Sequence, residues 1–168
     1  MDTHDRQRAR DAPDEERASH QRSGSRHGAD RRGPPRPPRG QRVIYLDASA
    51  AVKALVHEAE TSALVDAFGA GAEFVASRLL AVELHAVADR RSLDHGSADD
   101  LLDRVALVSL DEDTMARAIR LRSGLRTLDA LHLATAIELS DVVTSVLTYD
   151  NELAAAARTH GLPLADLS

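Results

Sequence analysis

The chain has 168 residues and a formal net charge of −6, which leaves room for one ordinary domain and a remainder. It contains no cysteine, so disulfides, thiolate metal sites and cysteine nucleophiles are excluded, and a cytoplasmic location is expected. No apolar run reaches the roughly 18 residues of a membrane span, and no apolar leader is visible at the N-terminus.

Residues 1–42 differ in composition from the rest of the chain. They contain no Val, Ile, Leu, Phe, Tyr or Trp, and they hold five of the six prolines. Because such a segment has no apolar surface to offset the entropy of ordering, we expect a disordered Arg/Pro/Gly-rich extension before a folded domain at 43–168. Eleven arginines against seven acids give the extension about +4, whereas the domain, with ten basic residues against twenty acids, carries −10. The extension could be an electrostatic arm for RNA, but we favour a dispensable segment that reflects a mis-assigned start, because the domain pattern begins abruptly at Val43.

From Val43 onwards, short apolar runs alternate with amphipathic segments. Ser49 and Ser77 are placed to cap the helices that follow them, and Gly96 predicts a break before the fourth helix. The alternation predicts an α/β fold, a three-layer α/β/α sandwich around a central parallel sheet of four to five strands. The predicted strands are 43–46, 74–76, 105–110 and 145–148, with an edge strand at 162–164, and the predicted helices are 50–57, 61–68, 79–90, 98–104, 111–122, 128–139 and 152–159.

Four acidic residues occur where such a fold would bring them together. Asp47 follows the first strand directly, and Asp150 follows the fourth. Ligands of parallel sheets bind beyond the carboxyl ends of the strands, so both carboxylates are expected at one edge if the two strands are neighbours. Glu83 shares the apolar stripe of its helix, which predicts that it points inward, and Asp129 lies in the first turn of the apolar helix 128–139.

Taken singly, each acid has a structural explanation as a helix cap, a turn residue or a first-turn acid that the helix dipole stabilises. Four carboxylates at one edge of a sheet would repel one another and lose solvation unless a cation neutralised them. Oxygen ligands without cysteine favour a hard divalent ion, Mg²⁺ or Mn²⁺, and such ions activate water and hold a phosphate for hydrolysis. The quartet therefore indicates a metal site that hydrolyses phosphodiester bonds.

Four stretches of the domain resemble the PIN-domain ribonucleases, and most closely the VapC-type toxins of type II toxin–antitoxin systems. The similarity spans nearly all of 43–168. The stretches are Val-Ile-Tyr-Leu-Asp-Ala-Ser-Ala (43–50), Val-Glu-Leu (82–84), Leu-Asp-Ala-Leu-His-Leu-Ala-Thr-Ala (128–136) and Leu-Thr-Tyr-Asp-Asn-Glu-Leu-Ala-Ala-Ala-Ala (147–157).

The resemblance implies a Mg²⁺-dependent endoribonuclease whose acidic quartet is Asp47, Glu83, Asp129 and Asp150. Asp47 and Asp150 would be direct metal ligands, whereas Glu83 and Asp129 would hold the ion through water, bind a second ion or orient the attacking water. The resemblance also implies a homodimer, and a cognate antitoxin whose C-terminal segment fills the groove and often places an arginine among the acids.

Several other side chains border the predicted site. Ser49 and Thr148 match hydroxyl residues that the family carries near its first and last acids. His132, on the same helix face as Asp129, could be a ligand or a proton shuttle, but a structural histidine that is at least partly buried is favoured. Tyr149 is expected to point away into packing. The candidate RNA phosphate contacts are Arg78, Arg122 and Arg126, although lone arginines are more often solvated or ion-paired.

Other classes of protein fit the sequence less well. A phosphatase of the haloacid dehalogenase type needs a second aspartate where Ser49 stands, and both that class and signalling receiver domains need a late lysine, whereas Lys53 is the only lysine. The glycine patterns of P-loop and dinucleotide-binding proteins are missing, so no nucleotide cofactor is expected. A PIN-like module that grips an antitoxin or RNA without cleaving it remains the alternative.

Overall fold

The computed structural model describes residues 42–56 and 61–167. Four strands and seven helices alternate along these ranges. The strands are β1 (Val43–Leu46), β2 (Glu73–Ser77), β3 (Val105–Val108) and β4 (Ser145–Leu147). The helices are α1 (Ala48–Leu55), α2 (Thr61–Gly69), α3 (Leu79–Arg91), α4 (His95–Leu102), α5 (Glu112–Leu121), α6 (Thr127–Glu138) and α7 (Asn151–Thr159). No helix within the described ranges is long and apolar enough to cross a bilayer.

The four strands form one parallel sheet in the order β3-β2-β1-β4. Ile44 of the inner strand β1 is in register with Phe74 of β2 on one side and with Ser145 of β4 on the other. A parallel sheet gathers the carboxyl ends of its strands at one edge, so the residues that follow β1 and β4 are neighbours there. The predicted α/β class and parallel sheet are confirmed.

Alternate residues of β1 face opposite sides of the sheet and enter two separate apolar cores. The side chains of Ile44 and Leu46 pack with α1 and α3, whereas those of Val43 and Tyr45 pack with α6 and α7. All four residues are buried. Burial on both faces explains why this strand is continuously apolar instead of alternating with polar residues. Helices therefore cover both faces of the sheet, which gives the predicted three layers.

Two helices begin two or three residues earlier than predicted. α1 begins at Ala48 because the Asp47 carboxylate, and not Ser49, provides its N-terminal cap: Oδ2 of Asp47 accepts from the backbone N–H of Ser49. α4 begins at His95 and contains Gly96, which was expected to break the chain. A Cβ at position 96 would lie 2.7 Å from Oδ2 of Asp94, the end of a side chain that can move aside, so the helix accommodates Gly96 without requiring glycine there.

The remaining predictions for the fold have mixed outcomes. The Ser77 hydroxyl accepts a hydrogen bond of 3.2 Å from the N–H of Leu79, but the N-cap position of α3 is held by Arg78 and not by Ser77 as predicted, and no side chain caps the helix there. The predicted edge strand is reduced to one parallel bridge between Leu164 and Val146. The predicted extension lies outside the described residues apart from Arg42, and the expected end of the first helix near position 57 lies outside them too.

Leu84→Ala should lower the free energy of unfolding by about 2–5 kcal/mol, because the fully buried side chain would leave a cavity in the core between α3 and the sheet. Val82 lies on the same helix with 66% of its surface exposed, so Val82→Ala should change stability by only about 0.5 kcal/mol or less. Urea unfolding followed by circular dichroism measures both values. Similar losses in the two variants would contradict the orientation of α3.

Candidate active site

Asp47 directly follows β1 and is the most buried of the four predicted acids, with 3% of its surface exposed. Its Oδ2 accepts hydrogen bonds from the Ser49 backbone N–H at 3.1 Å, the Ser49 hydroxyl at 2.5 Å and the Thr148 hydroxyl at 2.8 Å. Three donors on one oxygen satisfy a buried carboxylate and fix its orientation. The two predicted supporting hydroxyls therefore both contact Asp47.

Asp150 has the equivalent position beyond β4, where it caps α7. Its Oδ1 accepts from the backbone N–H groups of Glu152 and Leu153 at 2.8 and 2.9 Å. Thr148 connects the two strand ends, because its hydroxyl oxygen accepts from the N–H of Asp150 at 3.1 Å while the hydroxyl donates to Asp47. The carboxylates that follow β1 and β4 are thus tied to the same edge of the sheet.

Arg126 joins the acid from α6 to this edge. Its Nε donates to Oδ2 of Asp129 at 3.2 Å, and its Nη2 donates to Oδ2 of Asp150 at 3.3 Å. Burial raises the pKa of Asp129, and the charges of Asp150 and Asp47 raise it further, whereas the guanidinium opposes the rise. The three aspartates therefore lie close enough to repel one another, with one positive charge bridging two of them.

Glu83 approaches from α3 and contacts His132 of α6. Its Oε2 lies 2.7 Å from Nε2 of His132, and Nδ1 of the same ring lies 2.9 Å from the Tyr45 hydroxyl. The His132 side chain has no exposed surface, as expected of a buried histidine, and 21% of the Glu83 side chain is exposed. Glu83 also lines a cavity of about 360 Å³ together with Ser49, the residue that binds Asp47. The cavity places Glu83 beside the start of α1, but none of the three aspartates lines it.

The donor set fits a hard divalent ion in its chemistry, although its present arrangement is not a finished metal site. Within 42–56 and 61–167, no three acidic or histidine side chains are arranged to hold a metal ion as they stand. The charges on Asp129 and Asp150 are met instead by the Arg126 guanidinium, which stands where a positive charge is required. Carboxylate oxygens would suit Mg²⁺ or Mn²⁺ once the guanidinium had released them.

The surface beside the acids carries an aromatic side chain that was expected to be packed inside. Tyr149 has 40% of its surface exposed, and Nζ of Lys53 lies 4.9 Å from the centre of its ring. The prediction assumed that strand alternation continues to this residue, but β4 ends at Leu147. Tyr149 instead lies in the loop after β4. Its backbone N–H donates a hydrogen bond of 2.9 Å to the hydroxyl of Ser49 in α1.

The three arginines proposed for RNA occupy different places. Arg126 contacts the acids directly. Arg78 is exposed and follows β2 at the carboxyl edge of the sheet. Arg122 is exposed at the end of α5, where it adopts a left-handed conformation with a φ of 45°. Arg126 is the one whose contacts tie it to the predicted site.

Two features of the site escaped the sequence analysis. One is that the partners of Arg126 are two of the acids themselves, for which the spacing of three residues to Asp129 was an available signal. The other is the contact of His132 with Tyr45 and Glu83. A tyrosine within a wholly apolar strand hints that its hydroxyl has a buried partner, but no sequence pattern identifies that partner.

Known proteins resemble this chain in sequence and in fold. The PIN domain family model matches residues 44–162. Ribonuclease VapC46 of Mycobacterium tuberculosis (strain ATCC 25618 / H37Rv) is 38% identical over 126 residues, which cover 71% of this chain and 94% of that protein. Ribonuclease VapC47 of Mycobacterium tuberculosis (strain CDC 1551 / Oshkosh) is 34% identical over 126 residues, covering 71% and 93%. A solved toxin–antitoxin complex from Klebsiella pneumoniae matches with a TM-score of 0.58 at 18% identity, covering 74% of this chain and 98% of the other, and supports the fold.

The matched range runs from β1 past α7 and so includes every strand of the sheet. The chain belongs to the PIN-domain family, with VapC-type ribonucleases as its relatives. The resemblance found in the sequence is thereby confirmed, and with it the general dependence of this nuclease family on a divalent metal.

Asp129→Asn should raise the melting temperature of the metal-free protein at neutral pH. Because burial and like charge raise the pKa of Asp129, the folded state binds this proton more tightly than the unfolded state does, and stability falls as the pH rises through the raised pKa. The gain from asparagine should therefore disappear below the ordinary value of 3.8. Calorimetry in EDTA from acid to neutral pH tests this. An equal difference at every pH would contradict the electrostatic cause.

Proposed function

We propose that the domain is a Mg²⁺-dependent endoribonuclease that acts as the toxin of a toxin–antitoxin pair. The observation that carries the proposal is a cluster at one sheet edge, where Arg126 bridges Asp129 and Asp150 and Thr148 bonds both Asp47 and the backbone of Asp150. Carboxylates gathered in this way require positive charge, and a hard divalent ion supplies it together with hydrolytic chemistry. The ribonuclease relatives favour RNA as the substrate.

The role proposed for each residue of the site follows from how firmly hydrogen bonds hold its side chain. A bound Mg²⁺ supplies an activated water and neutralises charge on the scissile phosphate. Asp47 and Asp150 would be direct ligands, because backbone and hydroxyl donors already orient both carboxylates. Glu83 and Asp129 would hold water at the ion or orient the attacking water. Ser49 and Thr148 would support Asp47 and not contact RNA.

Arg126 is the favoured contact for an RNA phosphate, with Arg78 and Arg122 as further candidates. Its side chain is 77% exposed, and an ion that took over Asp129 and Asp150 would leave the guanidinium available at the mouth of the site. A freed guanidinium can bind phosphate oxygens through two parallel donors. Such local positive charge matters because residues 43–168 carry −10 overall, with ten basic residues against twenty acids.

The proposed protein partners are a cognate antitoxin and a second copy of the chain. The solved neighbour from Klebsiella pneumoniae is a toxin–antitoxin complex. The negative charge of the domain suits a basic antitoxin segment, and an arginine of that segment could meet the acids as Arg126 does. The homodimer is proposed from the family resemblance.

A PIN-like module that binds an antitoxin or RNA without cleavage is the second candidate. One observation favours it: among the described residues no three side chains are arranged as metal ligands, and an arginine engages two of the acids. The two candidates differ in whether RNA is cut when divalent metal is supplied.

Asp47→Asn and Asp150→Asn should each reduce Mg²⁺-dependent RNA cleavage by about 100-fold or more, because each removes the charge of a proposed direct ligand. Asp141→Asn is the matched control, since Asp141 is exposed and precedes β4 at the opposite edge of the sheet. The measurement is cleavage of labelled RNA by purified protein, with Mg²⁺ titrated against EDTA.

Cleavage that continues in EDTA, or that is unchanged in both site variants, would refute the metal-dependent nuclease. RNA that stays intact with the parent protein while binding persists would favour the second candidate. In cells, expression without an antitoxin should arrest growth, and the Asp150→Asn variant should not. Normal growth despite soluble parent protein would count against the toxin role.

Arg126→Ala should tighten Mg²⁺ binding by about two- to fivefold, because partly exposed ion pairs with the ligand carboxylates no longer compete with the metal. The same variant should raise KM for RNA, since a phosphate contact is lost. Arg158→Ala, an exposed arginine in the last turn of α7, should change neither value. Calorimetric titration and steady-state cleavage measure the two effects. Unaltered metal affinity in Arg126→Ala would show that the guanidinium does not compete for the acids.

A further inference from the structure

We propose that His132 is a positioning residue of the metal centre: its ring holds the Glu83 carboxylate in place, and Tyr45 in turn holds the ring. The inference rests on the proposed function and deepens it, because it assigns a role at the site to two residues buried beneath the acids.

The contacts form one chain that runs from the sheet to the acid. The backbone N–H of Ser77 donates to the Tyr45 hydroxyl at 3.3 Å, that hydroxyl lies 2.9 Å from Nδ1 of His132, and Nε2 lies 2.7 Å from Oε2 of Glu83. The four residues belong to β2, β1, α6 and α3. Both rings have at most 1% of their surface exposed and meet edge to face at 75°. The imidazole is therefore held from both sides.

A neutral imidazole satisfies this chain with a single placement of its proton. Burial raises the pKa of the Tyr45 hydroxyl, which therefore keeps its proton. Because Ser77 donates to the Tyr45 oxygen, the hydroxyl can donate to Nδ1, and the proton on Nε2 would then be donated to Glu83. The other tautomer would turn the Nε2 lone pair toward the carboxylate and lose this contact. Tyr45 thus selects the tautomer that binds Glu83.

Glu83 connects the buried chain to the cleft. Its side chain is 21% exposed and lines the cavity that Ser49 also lines, and Ser49 binds Asp47. A partly exposed glutamate can be solvated by water and does not need a buried histidine for that purpose. A long carboxylate side chain does gain a fixed orientation from such a donor, and an ordered carboxylate binds metal at a lower entropic cost.

Two amide replacements separate the positioning role from packing. The side-chain nitrogen of glutamine can stand near the position of Nε2, whereas that of asparagine stands near Nδ1, so only His132→Gln keeps a donor for Glu83. We expect His132→Asn to weaken Mn²⁺ binding by about 10–100-fold and to lower kcat with little change in KM for RNA. His132→Gln should retain most of the Mn²⁺ affinity. Electron paramagnetic resonance titration of Mn²⁺ into the full chain measures the affinity without RNA.

Tyr45→Phe tests the other end of the chain while keeping the aromatic packing. Nitrogen-15 NMR of the imidazole should show the Nε2–H tautomer in the parent protein and a mixture of tautomers in Tyr45→Phe. The variant should also bind Mn²⁺ more weakly than the parent, but less weakly than His132→Asn. An imidazole that carries its proton on Nδ1 in the parent protein would overturn the proposed chain.

Melting temperatures of all variants accompany these titrations. The positioning role would be overturned if the parent and His132→Asn bound Mn²⁺ equally well. It would also be overturned if the loss of Mn²⁺ affinity in the asparagine and glutamine variants simply paralleled the fall in their melting temperatures. Failure of the proposed function would give a different result, because RNA cleavage would then be unchanged in Asp150→Asn. Cleavage abolished by Asp150→Asn together with full Mn²⁺ affinity in His132→Asn would refute the positioning role alone.

Discussion

Repulsion between carboxylates at the carboxyl edge of the sheet is the constraint on which the rest of the site depends. Adjacent parallel strands bring Asp47 and Asp150 together, and α6 adds Asp129. Each charge is met in a different way: hydroxyl donors bind Asp47, the first N–H groups of α7 bind Asp150, and a guanidinium bridges Asp129 and Asp150. Without such compensation, burying like charges this close together would oppose folding.

The guanidinium of Arg126 explains how a cluster suited to a metal can lack a finished ligand set. The charges of two adjacent carboxylates can be neutralised by an arginine or by a divalent ion. The two cations therefore compete for the same oxygens. Because the side chain is 77% exposed, it can leave the acids without disturbing the core. The proposed antitoxin arginine would act on this same competition from outside the chain. A single physical demand for positive charge would therefore link the proposed metal binding, RNA contact and inhibition.

The fold could be predicted from the sequence because its signals are local. Continuous apolar runs marked the buried strands, and the positions of Asp47 and Asp150 at strand ends followed from those runs. The errors arose where a side-chain contact decided the outcome. Asp47 displaced Ser49 as the cap of α1, and an early end to β4 turned Tyr149 outward. The partners of His132 come from three separate elements, and no periodicity in one sequence encodes such a meeting.

Asp150 serves both structure and chemistry at this edge, because its two carboxylate oxygens accept from different partners. In Asp150, Oδ1 caps α7 while Oδ2 faces the guanidinium. The capping role needs only a hydrogen-bond acceptor, which asparagine also provides, whereas the electrostatic role needs the charge. A neutral amide at this position therefore keeps the helix start and removes the field. We therefore expect the fold to tolerate asparagine here, which leaves the charge of Asp150 free for the cation that we propose it binds.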